Sequence, residues 1–128
     1  MYDILYDSLS LIEDRMFEIE EFDIKLETEY IGRNFIYLEE TESTNSFVLD
    51  RANDIKTDGT VVFSEFQSAG RGRLDRKWVS SRGQNLTFTI FLDLKDRNIP
   101  EPQLLNLAAS LVVAKSIENL HMIKTNLK

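Results

Sequence analysis

Cysteine is absent from the 128 residues, so neither a disulfide nor a thiolate metal site can hold this chain together. Histidine occurs once, at His121, which excludes a multi-histidine metal site; a Ser-His-Asp triad stays formally open, with nothing around His121 to suggest one. No apolar run approaches the ~20 residues that a membrane-spanning helix needs. The start, Met1-Tyr2-Asp3, lacks the basic stretch of a secretory signal, so a cytoplasmic protein is expected. Proline is scarce, with two residues, and three of the five glycines fall between positions 67 and 83.

What is present is ordinary for a globular chain: 42% hydrophobic and 29% charged residues, in a length that suits one domain with a modest core. The charge is unevenly spread. The net charge is −7, yet residues 1–42 carry thirteen acidic and three basic side chains, a local net of −10, which leaves +3 for the remainder. Between 65 and 82, Arg71, Arg73, Arg76, Lys77 and Arg82 stand against only Glu65 and Asp75. A cationic loop on an acidic protein suits a small anionic ligand better than nucleic acid. A solvated surface loop explains the same charges.

Hydrophobic spacing predicts the elements. Leu9, Leu11, Ile12, Met16, Ile19 and Phe22 mark one stripe of a helix over roughly 8–21. Residues 34–39 read as a buried strand. Ser43 or Thr44 caps a helix that Phe47, Val48 and Ala52 continue to about Ile55. Asp58-Gly59 is a turn and Thr60–Phe66 a second strand. Residues 67–83 form a long loop. Asn85–Leu92 alternates Leu86, Phe88, Ile90 and Leu92 against Thr87, Thr89 and Phe91, the pattern of a half-buried strand. Asp96–Pro102 connects to a helix over Gln103–Leu120. The order is α-β-α-β-loop-β-α, without repeats. Residues 1–30 are expected to form an acidic, helical N-terminal segment, and 31–128 the main domain.

The loop Gln67-Ser-Ala-Gly-Arg-Gly-Arg-Leu-Asp-Arg-Lys-Trp78 carries the chemistry. Gly70 and Gly72 permit positive φ and a close approach of backbone to ligand. Alternating glycine and arginine presents amide and guanidinium donors to one anion, and the planar arginine fork suits phosphate. Trp78 is a candidate anchor for the far end of the loop. A single Gly-Arg-Gly-Arg copy between strands is poor evidence for RNA binding, and no Gly-Lys-Ser/Thr follows to make a P-loop.

Three blocks, in order, resemble biotin protein ligases. They are Ser43-Thr44-Asn45 after a strand ending in acidic residues; Gly59-Thr60-Val61-Val62 leading through Gln67 to Arg73, then Arg76 and Trp78; and Ser80 to Leu86, a Ser-x-x-Gly-x-Asn-Leu turn into a strand. The resemblance covers about residues 28–128. It implies an α/β (α+β) fold: a mixed, mainly antiparallel sheet flanked by helices, similar to class II aminoacyl-tRNA synthetase cores. It also implies a two-step reaction, in which biotin and ATP give biotinyl-5′-adenylate and a lysine of a biotin carboxyl carrier protein then takes the biotinyl group. By the resemblance, Ser43, Thr44, Asn45 and Gln67 line the biotin head group. Arg71, Gly72 and Arg73 close over its carboxylate and the adenylate phosphate, with Arg71 and Arg73 as the catalytic pair. Gly70, Arg76 and Trp78 shape the loop and the adenine side, and Asn85 and Leu86 border the pocket. ATP use implies Mg2+, with no protein ligands assigned to it.

Asp75 stands where the family often has glycine; aspartate tolerates the left-handed region, and an ion pair with Arg73 or Arg76 is open to it. The family's later Lys-Trp-Pro-Asn-Asp and Lys-Leu-Ala-Gly segments are not found, so an incomplete catalytic domain is expected, with an open sheet edge as a place for self-association. Lys128 is given no role. The first 27 residues match no family block and are too short and acidic for an upstream DNA-binding domain, so neither nucleic acid nor membrane is expected as a partner. A lipoate or octanoyl transfer enzyme is the near alternative, although its Arg-Arg-x-Ser-Gly-Gly-Gly stretch is missing. A non-catalytic ligand-binding or assembly fragment is the alternative from another class.

Overall fold

The computed structural model describes residues 16–95, 97–99 and 101–126. The chain divides into two compact units, Met1–Asp93 and Leu94–Lys128.

The first unit is built on a three-stranded sheet in the order β1 (Phe35–Leu38), β2 (Val61–Ser64), β3 (Thr87–Ile90). β1 and β2 run parallel, with Phe35 opposite Val61 and Tyr37 opposite Phe63, whereas β2 and β3 are antiparallel, with Phe63 opposite Phe88. The mixed sheet is therefore half parallel and half antiparallel in its pairings. β2 lies at the centre, and all four of its residues are buried. Short helix α1 (Ile19–Lys25) precedes β1, and α2 (Thr44–Asp50) crosses between β1 and β2.

Side chains alternate across the sheet, which separates two environments. One face carries Phe35, Tyr37, Val61 and Phe63. Phe17 sits on it with its ring centroid 4.5 Å from Phe63 and 5.4 Å from Phe35, and Phe22 of α1 lies 4.9 Å from Phe35. These tilted and offset contacts contribute about 0.5–1.5 kcal/mol each beyond area burial. The other face carries Val62 and Ser64, both wholly buried, and Val48 of α2 is among the few other buried apolar side chains of the described residues.

Glu65 follows β2 and is 1% exposed. Burying a carboxylate is tolerable only with donors aimed at it. Here the Phe17 amide donates at 2.7 Å and the Tyr37 hydroxyl at 3.0 Å, both to Oε1. One buried acid thus ties the segment before α1 to the end of β2.

Several boundaries differ from the sequence expectation. The helix expected over 8–21 falls largely outside the described residues; of its described part, residues 16–18 are not helical, and α1 begins at Ile19 and runs on to Lys25. α2 stops at Asp50 and a turn follows over 51–54, closed by the Asp54 and Ile55 amides, which both donate to the Arg51 carbonyl. In β3 the apolar side chains are the more open ones, with Phe88 47% and Ile90 40% exposed, while Thr87 and Thr89 are half-buried. The threonine side of β3 is the side that meets the start of α2, where hydroxyls find polar partners.

The second unit holds α3 (Leu104–His121), which ends at Met122 in the left-handed conformation, φ 52°. The chain then returns, and Thr125 donates to the Glu118 carboxylate from its backbone N at 2.9 Å and its hydroxyl at 3.0 Å. The Thr125 amide holds the Glu118 carboxyl below the usual carboxylate range. Among the described residues, no helix is long and apolar enough to cross a membrane.

Burial, and then the bond to Glu65, push the Tyr37 hydroxyl up to about 12. The folded value lies above the ordinary one of about 10, so the stability Tyr37 contributes is whole below pH about 10 and is lost as pH rises toward about 12. Tyr37→Phe should cost about 1–2 kcal/mol at neutral pH, because Glu65 loses a donor in a buried place. Its denaturation midpoint should also fall less steeply than the wild type's across that alkaline window. Equal slopes in chemical denaturation series from pH 8 upward would contradict the assignment.

Candidate functional site

Beyond their regular parts, β1 and β2 continue side by side: Thr41 and Gln67 form a parallel bridge, and the Ser68 and Ala69 amides donate to the carbonyls of Thr41 and Glu42. This extension brings Gln67 against Ser43-Thr44-Asn45, which open α2. Ser43 caps the helix in extended conformation and its hydroxyl accepts from the Ser46 amide at 3.4 Å. Gln67 Oε1 accepts from the Thr44 amide at 2.8 Å and the Thr44 hydroxyl at 3.1 Å, and the Gln67 amide donates to Ser80 Oγ at 3.1 Å. From β3, the Thr89 hydroxyl stands 2.9 Å from Thr44 Oγ1 and donates to Asn45 Oδ1 at 2.6 Å. Ser43, Thr44, Gln67 and Ser80 are all buried, and among the described residues no buried side-chain polar atom lacks a partner.

The loop after Gln67 is a tight hairpin. The Trp78 amide donates to the Gly70 carbonyl at 2.9 Å, the Gly72 amide to the Arg76 carbonyl at 2.6 Å, and Arg71 bridges Lys77 in antiparallel fashion. The tip is Arg73-Leu74-Asp75-Arg76, closed by the Arg76 amide on the Arg73 carbonyl, with Leu74 at φ 55° and Asp75 at φ 58°. Two successive central residues at positive φ are the mark of a type I′ hairpin turn.

Neither Gly70 nor Gly72 takes positive φ, contrary to the sequence expectation. Their reason is proximity within the protein: a Cβ on Gly70 would stand 2.8 Å from the Trp78 carbonyl oxygen and 2.9 Å from Gln67 Nε2, and one on Gly72 would stand 3.2 Å from the Arg76 oxygen. The left-handed positions fall on Leu74 and Asp75 instead, and aspartate does sustain the turn there.

A cleft of about 520 Å³ runs along this hairpin, lined by Gln67, Gly70, Arg71, Asp75, Arg76 and Trp78 among others. Arg71 reaches from it to Ser46 Oγ of α2, 3.4 Å away, so loop and helix meet. Arg73 sits at the tip and does not line the cleft. Among the described residues Asp75 pairs with neither Arg73 nor Arg76. Trp78 anchors the hairpin through its backbone; its side chain is 55% exposed. Arg82, counted with the cationic loop from sequence, is spent elsewhere: it donates to the Glu39 carbonyl and the Glu40 carboxylate, each at 3.0 Å. Asn85 accepts from the Ser81 amide at 2.8 Å and, with Leu86, lines a separate cavity of about 240 Å³ beside Phe17 and Glu65. Those two residues do not join the cleft.

Sequence reasoning missed Thr89, Ser46 and the part played by Ser80. Only the alternation of β3 carried a signal for Thr89, since it puts Thr87 and Thr89 on one face. No three His, Asp or Glu side chains converge on a metal among the described residues.

Residues 37–128 match the biotin/lipoate A/B protein ligase family. The bifunctional ligase/repressor BirA of Bacillus subtilis is 33% identical over 80% of this chain and 31% of its own length. That of Escherichia coli is 35% identical over 76% of this chain and 30% of its own. Among solved structures, the biotin protein ligase from Aquifex aeolicus in complex with biotin and ATP aligns with TM-score 0.62 and 32% identity, over 74% of this chain and 38% of that one. The chain thus spans about a third of the length of the relatives it matches.

Two substitutions test the hairpin. Gly70→Ala should loosen it without unfolding the sheet, seen as faster tryptic cleavage at Arg71 to Lys77 with little change in the circular dichroism spectrum. Leu74→Asn should stabilise the chain by about 0.5–1 kcal/mol, because asparagine tolerates the left-handed region that costs leucine about 1–2 kcal/mol. A denaturant midpoint lowered by Leu74→Asn would refute the turn assignment.

Proposed function

This chain belongs to the biotin/lipoate A/B protein ligase family, and we propose that it carries the head-group and phosphate-loop parts of a biotin protein ligase. The observation that supports this most directly is the junction of Gln67 with Thr44, set beside a cleft that Arg71 and Arg76 line. One end offers neutral amide and hydroxyl groups to a ureido head group; the other offers guanidinium groups to a carboxylate and a phosphate.

In this reading a biotin carboxylate oxygen attacks the α-phosphorus of ATP and pyrophosphate leaves. The lysine amine of a carrier protein then attacks the acyl carbon and AMP leaves. Neither step needs a nucleophile from the enzyme, which suits a chain with no cysteine. The protein's task is to hold two substrates in line and to stabilise charge gathering on phosphate oxygens. Arg71 is the residue assigned to that charge, with Arg76 on the same wall. Gly72 lines the cleft with them; Arg73 joins when an anionic ligand offsets the repulsion among Arg71, Arg73, Arg76 and Lys77 and the hairpin closes on it. Ser43, Asn45 and Gln67 face the head group. Thr44 holds Gln67, and Trp78 lines the adenine side.

Magnesium accompanies ATP, and the described residues offer it no cage of three carboxylate or histidine ligands; no step here runs through it. Residues 31–128 form the family domain, with 1–30 an acidic extension. The biotin carboxyl carrier protein is the proposed acceptor and the cytoplasm the proposed location. Within the described sheet β1 and β3 each have one unpaired edge, which is the surface for any self-association.

Titration calorimetry of the purified chain tests the proposal, first with biotin and then with a non-hydrolysable biotinyl-adenylate analogue. The analogue should bind more tightly than biotin, and Arg71→Ala should weaken it by about a hundredfold, the loss expected for a charge-assisted phosphate contact, while biotin binding changes less. A preference for a lipoyl-adenylate analogue would move the assignment to lipoate chemistry. No binding of either ligand by a folded chain would refute it.

A further inference from the structure

Resting on that reading, we infer that Thr89 is a positioning residue that fixes the Asn45 amide so that the head-group site presents hydrogen-bond donors, making it selective for a carbonyl oxygen.

The inference follows from counting protons. The Thr89 hydroxyl has one proton and two oxygen neighbours, Asn45 Oδ1 at 2.6 Å and Thr44 Oγ1 at 2.9 Å. The Thr89 hydroxyl donates to Asn45 Oδ1, so the atom of Asn45 that faces Thr89 is its oxygen. Thr44 spends its own proton on Gln67 Oε1, 3.1 Å away, which also takes the Thr44 amide. Both side-chain amides are then polarised the same way. Their oxygens point into the protein, toward Thr89 and Thr44, and their nitrogens are left for a ligand. Among the described residues, the side-chain hydrogen bonds of Asn45 and Gln67 run through their oxygens, none through Asn45 Nδ2 or Gln67 Nε2, and Asn45 is exposed. An amide can turn by half a revolution and exchange donor for acceptor at little steric cost. For Asn45 the Thr89 hydroxyl is what decides between the two, and for Gln67 it is Thr44. A ligand at this place must bring acceptors, as a ureido carbonyl does. A group that brings only donors meets unpaired N–H groups, which is the more costly mismatch.

The test uses the full chain, with biotin and 2-iminobiotin as probes. In the latter a C=N–H group replaces the ureido oxygen and is protonated at neutral pH, so it donates where biotin accepts. Wild type should prefer biotin by more than about tenfold. Thr89→Val, which keeps the shape and removes the hydroxyl, should bind biotin about tenfold more weakly and narrow the preference to within about threefold, because Asn45 is then free to turn. Thr89→Ser restores the hydroxyl and should restore both values. Full preference in Thr89→Val, or a Thr89→Ser that behaves like valine, overturns the inference and leaves the biotin reading intact. Wild type that binds both probes equally does the same. Wild type that binds neither overturns the biotin reading and this inference with it.

Discussion

The side chain of Gln67 is the tie on which the site depends. It is buried, and an amide oxygen left there without a donor would destabilise the fold by about 1–3 kcal/mol. Its oxygen takes two donors from Thr44, and its backbone amide donates to the Ser80 hydroxyl. Three segments far apart in sequence are joined at one residue: the start of α2, the end of β2, and the return from the hairpin. The parallel pairing of β1 and β2 makes this possible, since it carries both chains past the sheet in the same direction and leaves Thr41 beside Gln67.

From that fixed point the hairpin extends as a lever with small residues at its base. Gly70 is pressed between the Trp78 carbonyl and the Gln67 amide, so the position of Gln67 and the closure of the hairpin are one constraint. Strain is placed at the opposite end, where Leu74 and Asp75 hold positive φ. The base is thus held by close contacts and the strain lies at the solvated tip, so the first residues of the loop stay in register with Gln67.

The sequence revealed these features unevenly, for physical reasons. The loop was legible as a distinct feature because two glycines and several arginines in one short stretch have few structural explanations, and Ser43 announces a helix cap whatever else it does. β2 was legible because every residue in it is buried. Thr89 was not, because its partners lie 44 and 45 residues away and a threonine in a strand is unremarkable until the strand is paired. At Gly70 and Gly72 the expected positive φ is absent. Composition shows that the backbone needs room at 70 and 72, but only coordinates show whether that room is conformational or contact distance. Arg82 was miscounted for a similar reason, since its charge is neutralised by Glu40, 42 residues earlier.

Once Arg82 is removed and Arg73 is placed at the tip, the remaining charges follow a gradient. The first turn of α2 is the meeting point. Ser43 Oγ takes the Ser46 amide, Ser46 Oγ takes Arg71, and Asn45 between them faces outward. Within three residues the surface changes from uncharged donors to a guanidinium group. A ligand complementary to this place is polar and neutral at one end and anionic at the other, with the two ends served by different partners. Net charge alone would have admitted any small anion. The polarised amides narrow the choice, because attraction to arginine is long-ranged and tolerant of shape, whereas an amide fixed by Thr89 accepts one arrangement of lone pairs and penalises the rest. In the proposed reading, affinity and selectivity fall to different residues of one small site, and a substitution in either set should change one property more than the other.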